Sequence, residues 1–194
     1  MVLRTLLCCW LIKLVAVGAL GKHDSGIDPN LGIPLFLKIV TYDENFDPEE
    51  VEAVNISVVY DRGRVRSYEQ YRLAETFFKD NPVLRVNGVA VQYEAVPFDQ
   101  IAPTLEAMSD AHYNLVLVTD IGDERIAPLS REIKTHHVRS FSFNPAYVYD
   151  GLSVGVKVAK KGQLIVVNLK SSRQEGSKFS AHLLKLCEIV GGKD

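Results

Sequence analysis

Alternation is the strongest constraint this sequence places on its fold. Runs rich in β-branched and other apolar residues recur at 54–60, 89–96, 113–119 and 138–143, and helical patterns separate them. After the first run, Tyr71, Ala74 and Phe78 fall on one helical face. Ser67 and Gln70 stand in front of it at the spacing of a capping box, and Asp80-Asn81-Pro82 supplies the stop. After the second, Asp99 is placed as a cap before Ile101, Leu105 and Met108. After the third, the polar turn 120–124 leads into Ile126, Leu129 and Ile133. A short amphipathic stretch opens at Pro34, with Leu35, Ile39 and Tyr42, ahead of the first strand. Strands and helices alternating at this spacing specify βαβ units and a parallel sheet.

The pattern then changes. Residues 152–158 and 163–169 are two strands joined by Lys160-Lys161-Gly162, which reads as an antiparallel hairpin. A last helix is expected to carry Phe179, Leu183, Leu186 and Val190 as its buried stripe. The fold expected is therefore an α/β three-layer sandwich around a mixed, mostly parallel sheet with a C-terminal antiparallel hairpin and helix. With 194 residues, 47% of them apolar, the chain suits one domain with a full core.

Residues 1–21 differ from the rest. Arg4 gives a positive start, and residues 6–20 are apolar apart from Lys13. Ala19 and Gly21 then have the spacing of a leader-peptidase site, and polar residues follow from Lys22. This is the layout of a secretory signal peptide. The alternative, a membrane anchor, asks for an uninterrupted apolar stretch of about 20 residues, longer than the one present. Cys8 and Cys9 come too early for a lipobox. The expected organisation is a signal peptide over 1–21, a Gly/Asp/Pro-rich linker over 22–33 and a single domain over 34–191, located in the periplasm. Cleavage would leave Cys187 as the only thiol and so no internal disulfide. It would also remove Arg4 and Lys13, leaving 20 basic residues against 24 acidic ones. No Lys/Arg block exceeds a pair, which argues against a nucleic-acid groove.

Signals of catalysis are weak. The sequence has no Walker loop, G-x-G-x-x-G, H-E-x-x-H or C-x-x-C pair. His136-His137 are adjacent, so they point to different helix faces and suit a solvated C-terminus better than a metal. Cys187 lies beside Leu186 on a mostly apolar face and reads as a packed thiol. No catalytic residue, cofactor or metal is expected. The fold gives one positional indication, since open α/β sheets bind ligands outside the carboxyl ends of their strands. Those ends carry Asp61, Arg62, Pro97, Thr119, Asp120 and Asn144. Arg62 suits an anion, while Asp120 and Asn144 suit hydrogen-bond donors. Turns also favour such residues for purely local reasons. Asp61, Arg62, Thr119, Asp120 and Asn144 are the candidate contacts for a ligand or a partner.

The C-terminal third carries a resemblance. Its glycine-edged hairpin runs from Gly151-Leu152-Ser153-Val154-Gly155 through Lys161-Gly162 to Asn168-Leu169. Glu175-Gly176-Ser177 and the Leu183-Leu184-Lys185-Leu186-Cys187 run then follow. Together these resemble the closing motif of the YfiR/HmsC-like family. Upstream, Leu37 to Tyr42 with Asp43-Glu44-Asn45-Phe46 is similar to the opening helix of one branch, and the strand 115–119 sits where the family has its central one. The resemblance spans about 35–191. It implies a periplasmic regulator that binds the periplasmic domain of an inner-membrane diguanylate cyclase and holds it inactive, linking envelope state to cyclic-di-GMP and biofilm formation. A histidine kinase is the alternative partner, and a homodimer is also open. Family members carry cysteine pairs; here only Cys187 would remain, so redox sensing through an internal disulfide does not carry over.

Three readings follow. The first is this regulatory binding protein; the second is a periplasmic small-solute binding module using the strand ends; the third is a hydrolase with an unrecognised site. Missing metal patterns oppose the third. The short chain opposes a two-lobed solute binder with its cleft between domains.

Overall fold

A computed structural model of the chain describes residues 26–108, 112–159 and 162–191. The signal-peptide reading, with Cys8 and Cys9, lies outside the described residues, as does the Lys160-Lys161 turn. Among the described residues no helix is long and apolar enough to cross a membrane.

Among the described residues eight strands form one sheet: β1 (Ala53–Tyr60), β2 (Arg85–Val86), β3 (Val89–Pro97), β4 (Tyr113–Val118), β5 (Arg139–Ser142), β6 (Val154–Ala159), β7 (Gly162–Asn168) and β8 (Glu188–Val190). Their spatial order is β2-β3-β1-β4-β5-β6-β7-β8. From β3 to β6 every neighbouring pair is parallel, and β6 and β7 form the antiparallel hairpin. This is the mixed α/β sheet expected from the alternation. All six residues of β4 are buried, because a parallel sheet is covered on both faces.

Two helical layers do the covering. Helices α1 (Pro29–Val40) and α2 (Val65–Asp80) bury Phe36, Ile39, Ala74 and Phe78 against Ile56, Val58, Leu115 and Leu117. On the opposite face α3 (Ile101–Glu106) and α4 (Ile126–Thr135) press Ile101, Leu105, Leu129 and Ile133 onto Val59, Val96, Val116 and Val118. Short helices α5 (Ala146–Tyr149), α6 (Leu169–Gln174) and α7 (Ala181–Leu184) complete the chain.

Four local expectations are corrected. The first helix begins at Pro29 with Asp28 as its cap, so Pro34 lies inside it rather than opening it. Residues 26–33 are accordingly not a free linker. Ile27 and Ile33 are buried, Ile27 N–H donates to the Phe143 carbonyl at 3.0 Å, and a Cβ at Gly26 would run into that carbonyl. The last helix is a single turn, after which β8 pairs in parallel with the outer edge of β7, leaving Leu186 exposed. Ladder bonds available on that edge, and β-branched Ile189 and Val190, outweigh the helical spacing. The strand β2 has no counterpart in the sequence reading. It is formed by a two-residue turn in which Asn87 (φ 47°) and Gly88 (φ 91°) both occupy the left-handed region. Finally, Arg64 caps α2, so Ser67 and Gln70 are already helical and face the sheet instead of making a capping box.

Glu175 is fully buried at the end of α6. Its carboxylate accepts from Ser140 N–H at 2.7 Å and from the Ser140 and Ser153 hydroxyls, bridging β5 to the start of β6, where their pairing is limited to two residue pairs. Burial pushes the carboxyl up to about 8, against these hydrogen bonds, which favour the charged form. An acid whose folded value stands above its unfolded one of about 4.3 contributes stability below that value, and the contribution is lost as pH rises through the folded one. Urea-denaturation stability should therefore decline between about pH 5 and pH 9. Glu175→Gln, which fixes the neutral form, should flatten that decline; an unchanged slope would mean another group carries it.

Candidate functional site

The strand order places a switch point between β1 and β4. The connection leaving β1 runs through α2 to β3 on one side, and that leaving β4 runs through α4 to β5 on the other. The carboxyl ends of β1 and β4 thus open side by side, where such folds hold ligands.

Asp61 follows β1, and Thr119 and Asp120 follow β4. The structure brings these three together. Ser67 joins them: its hydroxyl accepts from Asp61 N–H at 2.8 Å and lies 2.6 Å from Thr119 Oγ1, which donates to the Val59 carbonyl at 2.9 Å. Gln70 Oε1 accepts from Asp120 N–H at 2.7 Å. Two polar residues of α2 therefore tie the helix to both strand ends.

The carboxylates are held by arginines. Arg125 Nη1 meets Asp61 Oδ2 at 2.6 Å while its guanidinium packs over the Phe98 ring, 4.8 Å from the centroid. Asp120 takes Arg66 Nε at 3.3 Å and Arg64 Nη2 at 3.6 Å, and its carbonyl accepts from Arg64 Nε. The Tyr147 hydroxyl donates to Asp120 Oδ1 at 2.9 Å and accepts from Gly122 N–H. Burial above all, with Asp120 adding to it, pushes that phenol well above its usual range, so it remains a donor. The side chains of Asp61 and Asp120 are 15% and 14% exposed, whereas those of Arg64 and Arg66 are 45% and 50% exposed. Acceptors are thus consumed inside the cluster and donors face outward. Three guanidiniums against two carboxylates leave it positive.

Two of the five candidates sit differently. Arg62 is exposed and keeps company with the Tyr60 hydroxyl, which raises its already high pKa, and with Asp99. It stands beside the cluster, not in it. Asn144 begins the turn before α5, accepting from Ala146 N–H at 3.1 Å, and reaches the cluster through Tyr147. Sequence reasoning missed Arg64, Arg66, Arg125 and Tyr147. The spacing Arg62-Gly63-Arg64-Val65-Arg66 was the available signal, because it concentrates positive charge at the start of a helix.

Cys187 is half-buried, its thiol pushed up to about 11 by burial, so at neutral pH it is an unreactive packed thiol. His137 stacks no ligand set: its Nδ1 lies 3.0 Å from the Gln174 carbonyl. Concavity and charge part company in this protein. A cleft of about 640 Å³ opens not at the strand ends but over the amino-terminal halves of β1, β3 and β4, beside α3.

In fold, the chain is similar to solved substrate-binding proteins. No protein-family model matches the sequence, and no curated protein does. The chain is similar to a ligand-free, open substrate binding protein with adhesive properties from Clostridium difficile (TM-score 0.57, 11% identity, 84% of this chain and 60% of that one). It is also similar to the ABC domain in complex with L-Trp from Streptococcus pneumonia (0.57, 13%, 84% and 62%). A conserved domain protein from Vibrio cholerae matches comparably (0.56, 12%, 83% and 59%). The chain spans about three fifths of the length of these structures.

Ser67 is fully buried, and removing its hydroxyl leaves Asp61 N–H without its acceptor. Ser67→Ala should destabilise by about 1–3 kcal/mol in urea denaturation. A cost within about 0.5 kcal/mol would mean the tie between helix and strand ends is dispensable.

Proposed function

We propose that the chain is a periplasmic small-solute binding module whose strand-end cluster receives the anionic group of its solute. The observation that carries this is the outward-facing Arg64 and Arg66, each fixed from behind by Asp120 at the switch point of the sheet. A guanidinium already held in place loses little freedom when it binds, and its fork suits carboxylate or phosphate. The L-Trp held by the similar Streptococcus domain is a solute with such a carboxylate.

The chain covers about three fifths of the substrate-binding structures it resembles in fold. Binding proteins of the periplasmic kind close two domains around a ligand. The module would therefore supply one wall of a site, with a second copy or another protein supplying the other. The regulatory reading, acting on a membrane-bound diguanylate cyclase or histidine kinase, rests on the resemblance alone and enters as an outcome of the test.

Calorimetric titration with single amino acids and small organic phosphates is the test. Saturable binding of one class is expected, weakened about tenfold or more by Arg66→Ala, the loss of one charge-assisted hydrogen bond. If none binds, and a membrane cyclase or kinase co-purifies with the chain, the regulatory reading replaces this one.

A further inference from the structure

One face of the central strands changes character halfway along. Toward the carboxyl ends it is apolar, with Val59, Val96, Val116 and Val118 under α3 and α4. Toward the amino ends the same face carries two rows of polar side chains set by register. Gln92, Asn55 and Asn114 stand side by side across β3, β1 and β4, and Glu94 stands beside Ser57. Parallel sheets bury both faces and ordinarily line them with apolar residues. Here Ser57 is 1% exposed and Asn114 6%, so the row is not simply solvated surface. Helix α3, six residues long, leaves the cleft of about 640 Å³ above them, within the size range of small-molecule sites.

The hydrogen bonds leave acceptors in surplus. Asn55 Nδ2 is engaged by His112 Nδ1 at 2.9 Å and by Asn114 Oδ1 at 3.5 Å. Its Oδ1 is buried and has no partner. Glu94 accepts from Ser57 Oγ at 2.8 Å and, among the described residues, is the one carboxylate of the lining, which holds neither Lys nor Arg. The opposite wall is mixed, with Pro103, Ala107 and Met108 as its apolar part beside Gln100 and Thr104.

We infer that this cleft binds a small organic ammonium, its cationic head against Glu94 and its apolar body against Pro103, Ala107 and Met108 on the α3 side. The site is separate from the strand-end cluster and selects the opposite charge, so the two stand or fall independently. Phenethylamine is a suitable probe, with phenethyl alcohol as its uncharged counterpart, in calorimetric titrations of the full chain. The amine should bind saturably and the alcohol about tenfold more weakly or worse. Glu94→Gln should lower amine affinity about tenfold. Glu94 is exposed, so an unchanged melting temperature is expected to confirm that the variant is folded. Glu132→Gln, an exposed carboxylate on α4, should change nothing. No saturable amine binding, equal affinity for the alcohol, or undiminished binding by Glu94→Gln would overturn the inference.

Discussion

Residues 54–59 and 113–118 lie far apart in the chain, yet their parallel pairing as β1 and β4 organises the protein. The connections leaving these strands depart to opposite sides, so no helix crosses directly above the gap between their carboxyl ends. That gap exposes Asp61, Thr119 and Asp120 to one another, and Ser67 and Gln70 reach into it from α2. A parallel pair has no tight turn to fix its register, and loop closure over such a separation has to be offset by contacts made elsewhere. The Ser67 bridge and the apolar ladders of both faces provide those contacts.

Buried polar groups tie the opposite end of the sheet in the same manner. Asp43 accepts from Asn45 N–H at 3.0 Å, from Lys178 N–H at 2.7 Å and from the Tyr113 hydroxyl. It thereby fastens the exit from α1 to the start of β4 and to the segment before α7. Arg139 lies over the Tyr113 ring, 4.2 Å from its centroid, and donates to the Gly176 carbonyl, to which Asn45 also donates. Glu175 is next in sequence and stitches β5 to the start of β6. The segments around Asp43 and around Glu175-Gly176, far apart in the chain, therefore meet in space. Their shared work at this contact is structural, whatever the chain binds.

The face shared by β1, β3 and β4 shows how far packing and binding compete. Its apolar half is closed by helices, and its polar half is not. An apolar residue in place of Asn55 or Ser57 would suit a covered parallel sheet better, so these residues depart from what stability alone favours. The strand-end cluster departs in another way, setting three guanidiniums around two carboxylates where a turn needs only Asp, Asn or Gly. Two polar regions, one rich in guanidiniums and one carrying Glu94, thus occupy opposite ends of one set of strands.

Much of the fold was legible because periodicity reports burial directly. The run 113–119 could only be a strand covered on both faces, and Ile126, Leu129 and Ile133 could only be the inner face of a helix. Asp61, Thr119 and Asp120 were legible as neighbours because strand ends converge in any parallel sheet. What could not be read was which side chains turn toward that convergence. Ser67 and Gln70 have the spacing of a capping box, and only the position of α2 against β1 and β4 turns them inward. Arg62 was the arginine singled out, yet the direction of the chain after β1 sends it toward Tyr60 and sends Arg64 and Arg66 toward Asp120. Residues 188–190 follow a helical stripe in sequence and form a strand because β7 offers an unpaired edge. The sequence by itself determined the elements and the layers, since those follow from local spacing and apolar content. The tertiary structure alone decided the site, because charge pairing and edge pairing depend on which distant backbone stands within hydrogen-bond reach.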